Sequence, residues 1–457
     1  MARLWMLIAG AAALADVPLP TAPQLAYQRM ELVATVGFQM NSFTGTQWCG
    51  PDNWNTGAMT SRPSTFQPGP EFDVSQWADV VASFGAKGAW MDTKHVCGFL
   101  LWPTNTTLPD GKPYGYDVGA PGGIGVDVVG AFKDAFEAKG IAPGYYYSLT
   151  YNYYANVVAN HGVVRSNATF EKGMVALTQE EYDDLCLRQL RELWTRYGVG
   201  GASEVWFDGG VPNRPKAAAG LKALVDELIP DVPAFGGLGV SPNAVKWVGD
   251  ESGLPSKGIW STGATNQGLP DDPQFVPTGC DTILMTPHTW FWVPGMGVRS
   301  LAEMIAVYHA TVGNNCVLEL GFATDKNGTI PADQVARAKE FGDWIRSCYD
   351  APVNATAALN ATTVSLKIPT GAAVDRVVVQ EDLAKGQRVR SYVVDATADG
   401  GKTWAQVSNG TAVGHKRIDV FAAPLQGAAV ELRLTITKAV GDVDVVQFAA
   451  FAPCPAA

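Results

Sequence analysis

Between residues 32 and 348 the chain alternates short apolar runs with stretches of helical spacing, and this alternation constrains the fold more than any other feature. Strand-like runs fall at 32–38, 88–93, 142–148, 204–208, 233–236, 246–248, 282–285 and 316–321. Helical spacing falls at 73–84, 126–139, 179–197, 216–229, 300–312 and 332–348. In the first helix Val74, Trp77, Val80, Val81 and Phe84 share one face, and Gly85 stops it. Strands that alternate with helices pair in parallel. Sustained over this length, with unusual polar residues at the strand ends, the pattern predicts an α/β fold of the (β/α)8 or TIM-barrel type. No glycine-rich dinucleotide fingerprint or phosphate loop follows a strand, which counts against a doubly wound sheet.

The pattern changes after about residue 349. From 357 to 451, short β-branched runs alternate with Gly, Asp and Asn turns and no helix is evident, as in a small C-terminal all-β sandwich. The expected organisation is a signal peptide at 1–15, a barrel at 25–350 and a sandwich at 355–453. Buttressing the barrel is favoured over carbohydrate binding as the role of the sandwich. The signal rests on Arg3, an apolar core at 4–14 and the small-x-small site Ala13-Leu14-Ala15; it is shorter than the about 20 residues of a membrane span. Asn-x-Ser/Thr triplets begin at Asn105, Asn167, Asn327, Asn354, Asn360 and Asn409. Together these predict the secretory pathway, ending outside the cell or in a lysosome or vacuole. The seven cysteines (Cys49, Cys97, Cys186, Cys280, Cys316, Cys348, Cys454) are dispersed without a C-x-x-C pair, so a zinc site is not expected and an odd thiol is left over.

Composition bears on the ligand. A net charge of -11 argues against nucleic acid as a partner. The 14 tryptophans suit either a large aromatic core or a site that stacks on the apolar faces of sugars.

In a barrel, chemistry sits at the carboxyl ends of strands. The run Glu204-Val205-Trp206-Phe207-Asp208-Gly209-Gly210 is an apolar strand ending abruptly on an acid; by itself Asp-Gly is also a common turn pair. His95 occupies another such end, and Glu251 a third, in Trp247-Val248-Gly249-Asp250-Glu251. Two carboxylates on different strand ends, in an aromatic setting without a metal motif, match glycoside hydrolysis, where one attacks the anomeric carbon and the other protonates the leaving oxygen. The plainer alternative is that Asp250 or Glu251 pairs with Lys246 or Lys257.

The order of motifs resembles the α-L-fucosidases of glycoside hydrolase family 29. The resemblance is carried by Trp206-Phe207-Asp208-Gly209, Gly85-Ala86-Lys87, Lys94-His95 with Gly98-Phe99 and Leu101-Trp102-Pro103, Tyr146-Tyr147-Ser148, Trp247 to Glu251, Trp260-Ser261-Thr262 and Glu340-Phe341-Gly342-Asp343-Trp344. It implies a barrel followed by a β-sandwich and a retaining mechanism on fucosylated oligosaccharides or glycoprotein glycans, with no cofactor, metal, nucleic-acid or membrane partner. Asp208 is then the nucleophile and Glu251 the general acid/base. His95 binds fucose hydroxyls, Trp48 and Trp206 line the pocket, and Tyr147 and Trp260 help to shape it. Two departures stand out. Where the family has His-His-Asp-Gly-Phe, this chain has His95-Val96-Cys97-Gly98-Phe99, and its Gly37-Phe38-Gln39 replaces His-Phe-Gly. Each lost imidazole is worth about 1 to 3 kcal/mol if the facing hydroxyl goes unpaired. Gln39, Asn41 or Gln47 is expected to compensate, or the glycone is another L-sugar of L-galactose shape, or the protein binds fucose without cleaving it.

Overall fold

Eight parallel strands close into a barrel in the computed structural model, which describes residues 17–49, 61–157, 162–164, 173–201, 203–256, 258–360 and 363–455. The strands are Leu32–Gly37, Gly88–Lys94, Ala142–Tyr147, Val205–Trp206, Ala234–Phe235, Ala244–Trp247, Thr278–Ile283 and Val317–Ala323. Each pairs with the next, and the eighth returns to the first, with Leu32 opposite Leu318 and Gly37 opposite Ala323. The first, second, seventh and eighth strands are buried along their whole length, as strands covered on both faces must be. The expected signal peptide and Asn167 lie outside the described residues.

Six helices pack around the barrel: Val74–Phe84, Val128–Ala138, Gln179–Tyr197, Pro215–Leu228, Leu301–Ala310 and Ala332–Tyr349. Asp73, Asp127, Thr178 and Ser300 cap four of them through side-chain acceptors, and Thr178 with Glu181 and Ser300 with Glu303 form capping boxes. An additional helix, Ala22–Met30, buries Tyr27 completely, and the Tyr27 hydroxyl donates to Glu319. The other Glu319 oxygen accepts the indole N–H groups of Trp90 (3.0 Å) and Trp206 (2.9 Å). Burial, opposed by these donors, moves the Glu319 carboxyl up to about 7. Above it Trp206 stacks on Phe235, Trp90 and Tyr146, so the barrel interior is an aromatic column oriented from below by one acid.

Among the described residues no helix separates the fifth from the sixth strand or the sixth from the seventh. The C-terminal domain packs against this part of the barrel. It is a sandwich of a five-stranded antiparallel sheet and a three-stranded one, spanning Thr356–Asn360 to Val445–Phe451. Gln387 accepts from the Ser261 N–H, Arg390 lies over the Trp260 ring and donates to Pro270 O, and His415 and Lys416 both bond Glu31.

Candidate active site

A solvent-open cleft lies at the carboxyl ends of the strands. It is lined by Thr35 and Gly37 of the first strand, Trp90, Asp92 and His95 from the second, and Tyr146 from the third. Trp206 and Asp208 follow from the fourth, Glu251 comes from the loop after the sixth, and Asp281, Trp290 and Phe291 come from the seventh and the segment beyond it.

Asp208 follows the fourth strand, and Gly209 behind it turns the chain with φ +70° at a place where a Cβ would press on the Thr150 hydroxyl. The Tyr146 hydroxyl donates to Asp208 Oδ2 (2.8 Å), and Thr150 Oγ1 donates to its carbonyl (3.0 Å). Burial raises the Asp208 carboxyl above its ordinary value; the Glu251 charge adds to this, while Tyr146 and the Gly209 N–H work against it. Glu251 differs in kind. Its Oε2 is hydrogen-bonded to His288 Nε2 (3.1 Å) and accepts from Trp290 Nε1 (3.0 Å), and Thr282 Oγ1 holds its carbonyl (2.7 Å). The His288 bond, partly offset by burial and aided by Trp290, lowers the Glu251 carboxyl. Its side chain is 43% exposed, and Asp208 is partly buried. The cleft thus brings two carboxyls in unlike surroundings against an aromatic wall.

Of the five binding residues expected from sequence, His95 and Trp206 line the cleft. The His95 ring meets Phe291 edge-on at 4.7 Å; burial, with Lys94 adding, lowers it to about 3, so it is a neutral imidazole. The other three stand outside the lining of this cleft. Tyr147 points outward, where its hydroxyl donates to Gln189 (2.6 Å) and Lys94 lies over its ring, because side chains alternate along a strand and Tyr146 takes the inward position. Trp260 is covered by Arg390 at the domain interface. Trp48 is exposed beside Tyr151 rather than among the lining residues.

The polar residues expected to replace the lost imidazoles serve the framework instead. Gln39 Nε2 donates to the carbonyls of Asp92 (2.8 Å) and Phe99 (3.2 Å), Asn41 donates to Thr46 O, and Gln47 accepts from the Trp290 N–H (2.8 Å). Cys97 is bonded to Cys49, so this position ties the loop after the first strand to the loop after the second. Cys280–Cys316 and Cys348–Cys454 are the other disulfides, and Cys186 is a buried thiol. At Gly37 a Cβ would come within 2.5 Å of the Trp290 carbonyl, so the chain after the seventh strand occupies the space a side chain there needs.

Sequence reasoning missed Asp92, Tyr146, Asp281, His288, Trp290 and Phe291. An acid inside the apolar run 88–93 and the aromatic run Trp290-Phe291-Trp292 were the available signals.

A sequence profile for α-L-fucosidase matches residues 61–348. "Alpha-L-fucosidase 1" of Arabidopsis thaliana is 24% identical over 473 aligned residues, covering 93% of this chain and 85% of that one. A solved glycoside hydrolase 29 family member from an unknown rumen bacterium superposes with a TM-score of 0.77 at 25% identity, over 97% of this chain and 79% of that one. A Ruminococcus gnavus GH29 fucosidase solved in complex with fucose shares the fold at 20% identity, with a TM-score of 0.78 over 98% of this chain and 99% of that one.

Proposed function

The chain belongs to the α-L-fucosidase family and is a glycosidase that removes α-L-fucose, and we propose that it does so with retention of configuration through a covalent glycosyl-enzyme intermediate. The observation that carries this reading is the pairing of Asp208, partly buried and held by Tyr146, with Glu251, held by His288 and Trp290, across one aromatic cleft.

Asp208 is the nucleophile. Tyr146 aims its carboxylate, and burial strips the water that would otherwise shield attack on the anomeric carbon. Glu251 is the acid/base. Because both His288 and Trp290 bind Oε2, Oε1 is left to meet the glycosidic oxygen. In the free cleft the pKa directions run against these roles, since Asp208 is raised and Glu251 lowered. A bound glycoside corrects the second: by covering Glu251 it removes solvent, which favours the protonated carboxyl that must donate. After transfer, Glu251 is an anion that draws a proton from water as the intermediate is hydrolysed.

The substrates are fucosylated oligosaccharides or glycoprotein glycans, and the protein travels the secretory route. Three disulfides and the exposure of Asn105, Asn327, Asn354 and Asn409 support export. The test is turnover of an aryl α-L-fucoside followed by NMR. The first-formed fucose should be the α anomer, and Asp208→Asn should lower kcat by roughly 10³-fold or more. First-formed β-fucose, or an Asp208→Asn enzyme of undiminished rate, refutes the mechanism.

A further inference from the structure

The cleft keeps His95 but lacks two other imidazoles of the family pattern, and it holds a carboxyl that no side chain engages. Gly37 presents no side chain, Val96 stands where the second histidine would be, and Cys97, in place of the acid, is consumed in a disulfide. Apart from Asp208 and Glu251, the polar groups on the lining are Thr35, Asp92, His95, Tyr146 and Asp281. Tyr146 is committed to Asp208, and Trp247 Nε1 donates to Asp281 Oδ1 (2.7 Å).

Asp92 is different. It is buried near the end of the second strand, and its carboxyl faces the cleft while receiving no hydrogen bond from any described residue. Its oxygens keep contact with the open cleft, so a polar ligand group can bond them directly in place of solvent. Its position is also built: Gln39 clamps the Asp92 carbonyl, and Trp90, two residues earlier on the same inward face, is held by Glu319. We propose that Asp92 is a specificity-determining residue that grips two neighbouring hydroxyls of the fucosyl unit through its two free carboxyl oxygens, taking over recognition that imidazoles perform elsewhere in the family.

The state of the group agrees with this. Burial, reinforced by the charge of Asp208, holds the Asp92 carboxyl well above the usual range, which favours the protonated form that carries one donor and one acceptor. A vicinal diol supplies the matching acceptor and donor.

The inference rests on the α-L-fucosidase reading, and the experiment separates the two. L-fucose and its 2-, 3- and 4-deoxy analogues are titrated calorimetrically into the native chain and into Asp92→Ala and Asp92→Asn, with thermal melts confirming folding; kcat/KM is measured on the corresponding aryl glycosides. Asp92→Ala should weaken L-fucose binding and kcat/KM roughly 10- to 100-fold, and the loss should shrink for the analogues that lack the gripped hydroxyls. Asp92→Asn, which keeps a donor and an acceptor, should lose less. If Asp92→Ala binds L-fucose as the native chain does, or loses equally on every deoxy analogue, the assignment fails while the fucosidase reading stands. An equal loss accompanied by a shifted acid limb assigns Asp92 to Asp208 instead and also overturns it. A native chain that neither binds nor cleaves α-L-fucosides takes both readings down.

Discussion

Tyr146 and Asp208 form the contact on which the proposed mechanism turns. In that mechanism the reactive form of Asp208 is the anion, and burial pushes its carboxyl up, so kcat/KM should fall on the acid side at a higher pH than for an ordinary aspartate. The Tyr146 hydroxyl opposes that rise by donating to Oδ2. Tyr146→Phe deletes the donor and leaves the burial, so the acid limb should move further up and kcat/KM at neutral pH should drop about 10-fold. A pH profile of kcat/KM checks the sign; an unmoved limb would show that the bond does not act on the nucleophile. His95 should add no limb of its own near pH 6, because burial and Lys94 keep its ring neutral down to about 3.

The segment after the seventh strand is the element that completes the site. Met285–Thr286 pairs antiparallel with Gly297–Val298, and the loop between them carries His288, Trp290 and Phe291 to Glu251 and His95. Gln47 pins the Trp290 N–H, and Gln47 lies two residues from Cys49, whose disulfide to Cys97 anchors that loop in turn. Three connections after three different strands therefore brace one carboxyl. Since Trp290 holds Oε2 without touching the nucleophile, Trp290→Phe should impair proton donation selectively. The expected outcome is about a 10-fold fall in kcat/KM on fucosides with poor leaving groups and little change on a dinitrophenyl fucoside, which needs no acid. Equal losses on both would mean that the indole shapes the sugar pocket rather than Glu251.

At the scale of the whole molecule, the sandwich is joined to the barrel partly through Glu31, which bonds His415 and Lys416. Burial works against its charge, but the His415 and Lys416 contacts prevail and bring the carboxyl down to about 2 from 4.5. A depressed folded-state value contributes stability that is complete above pH 4.5 and is lost as the pH falls towards 2, amounting to at most about 3 kcal/mol. Glu31→Gln should therefore lower the Tm at neutral pH and flatten its dependence on pH across that window; unchanged melting curves would show that the domains hold together without this pair. Much of this architecture is legible in the sequence. Burial on both faces writes a parallel strand as a continuous apolar run, and a helix on a barrel repeats its apolar residues every three to four positions, so Leu32–Gly37, Val74–Phe84 and the sandwich strands announce themselves locally. Asp208 is legible for a related reason, since it interrupts an apolar run where a strand ends, and Glu251 lies in the short acidic stretch that follows another such run. What the sequence could not determine is which way a side chain faces and what meets it across the cleft. Tyr146 and Tyr147 are adjacent and chemically alike, and only the pleat sends one to Asp208 and the other to Gln189. Asp92 reads as one acid in an apolar strand; closure of the barrel alone places its unpartnered carboxyl beside residues more than a hundred positions away, because contacts between strand ends depend on the curvature of the whole sheet rather than on any local run of residues.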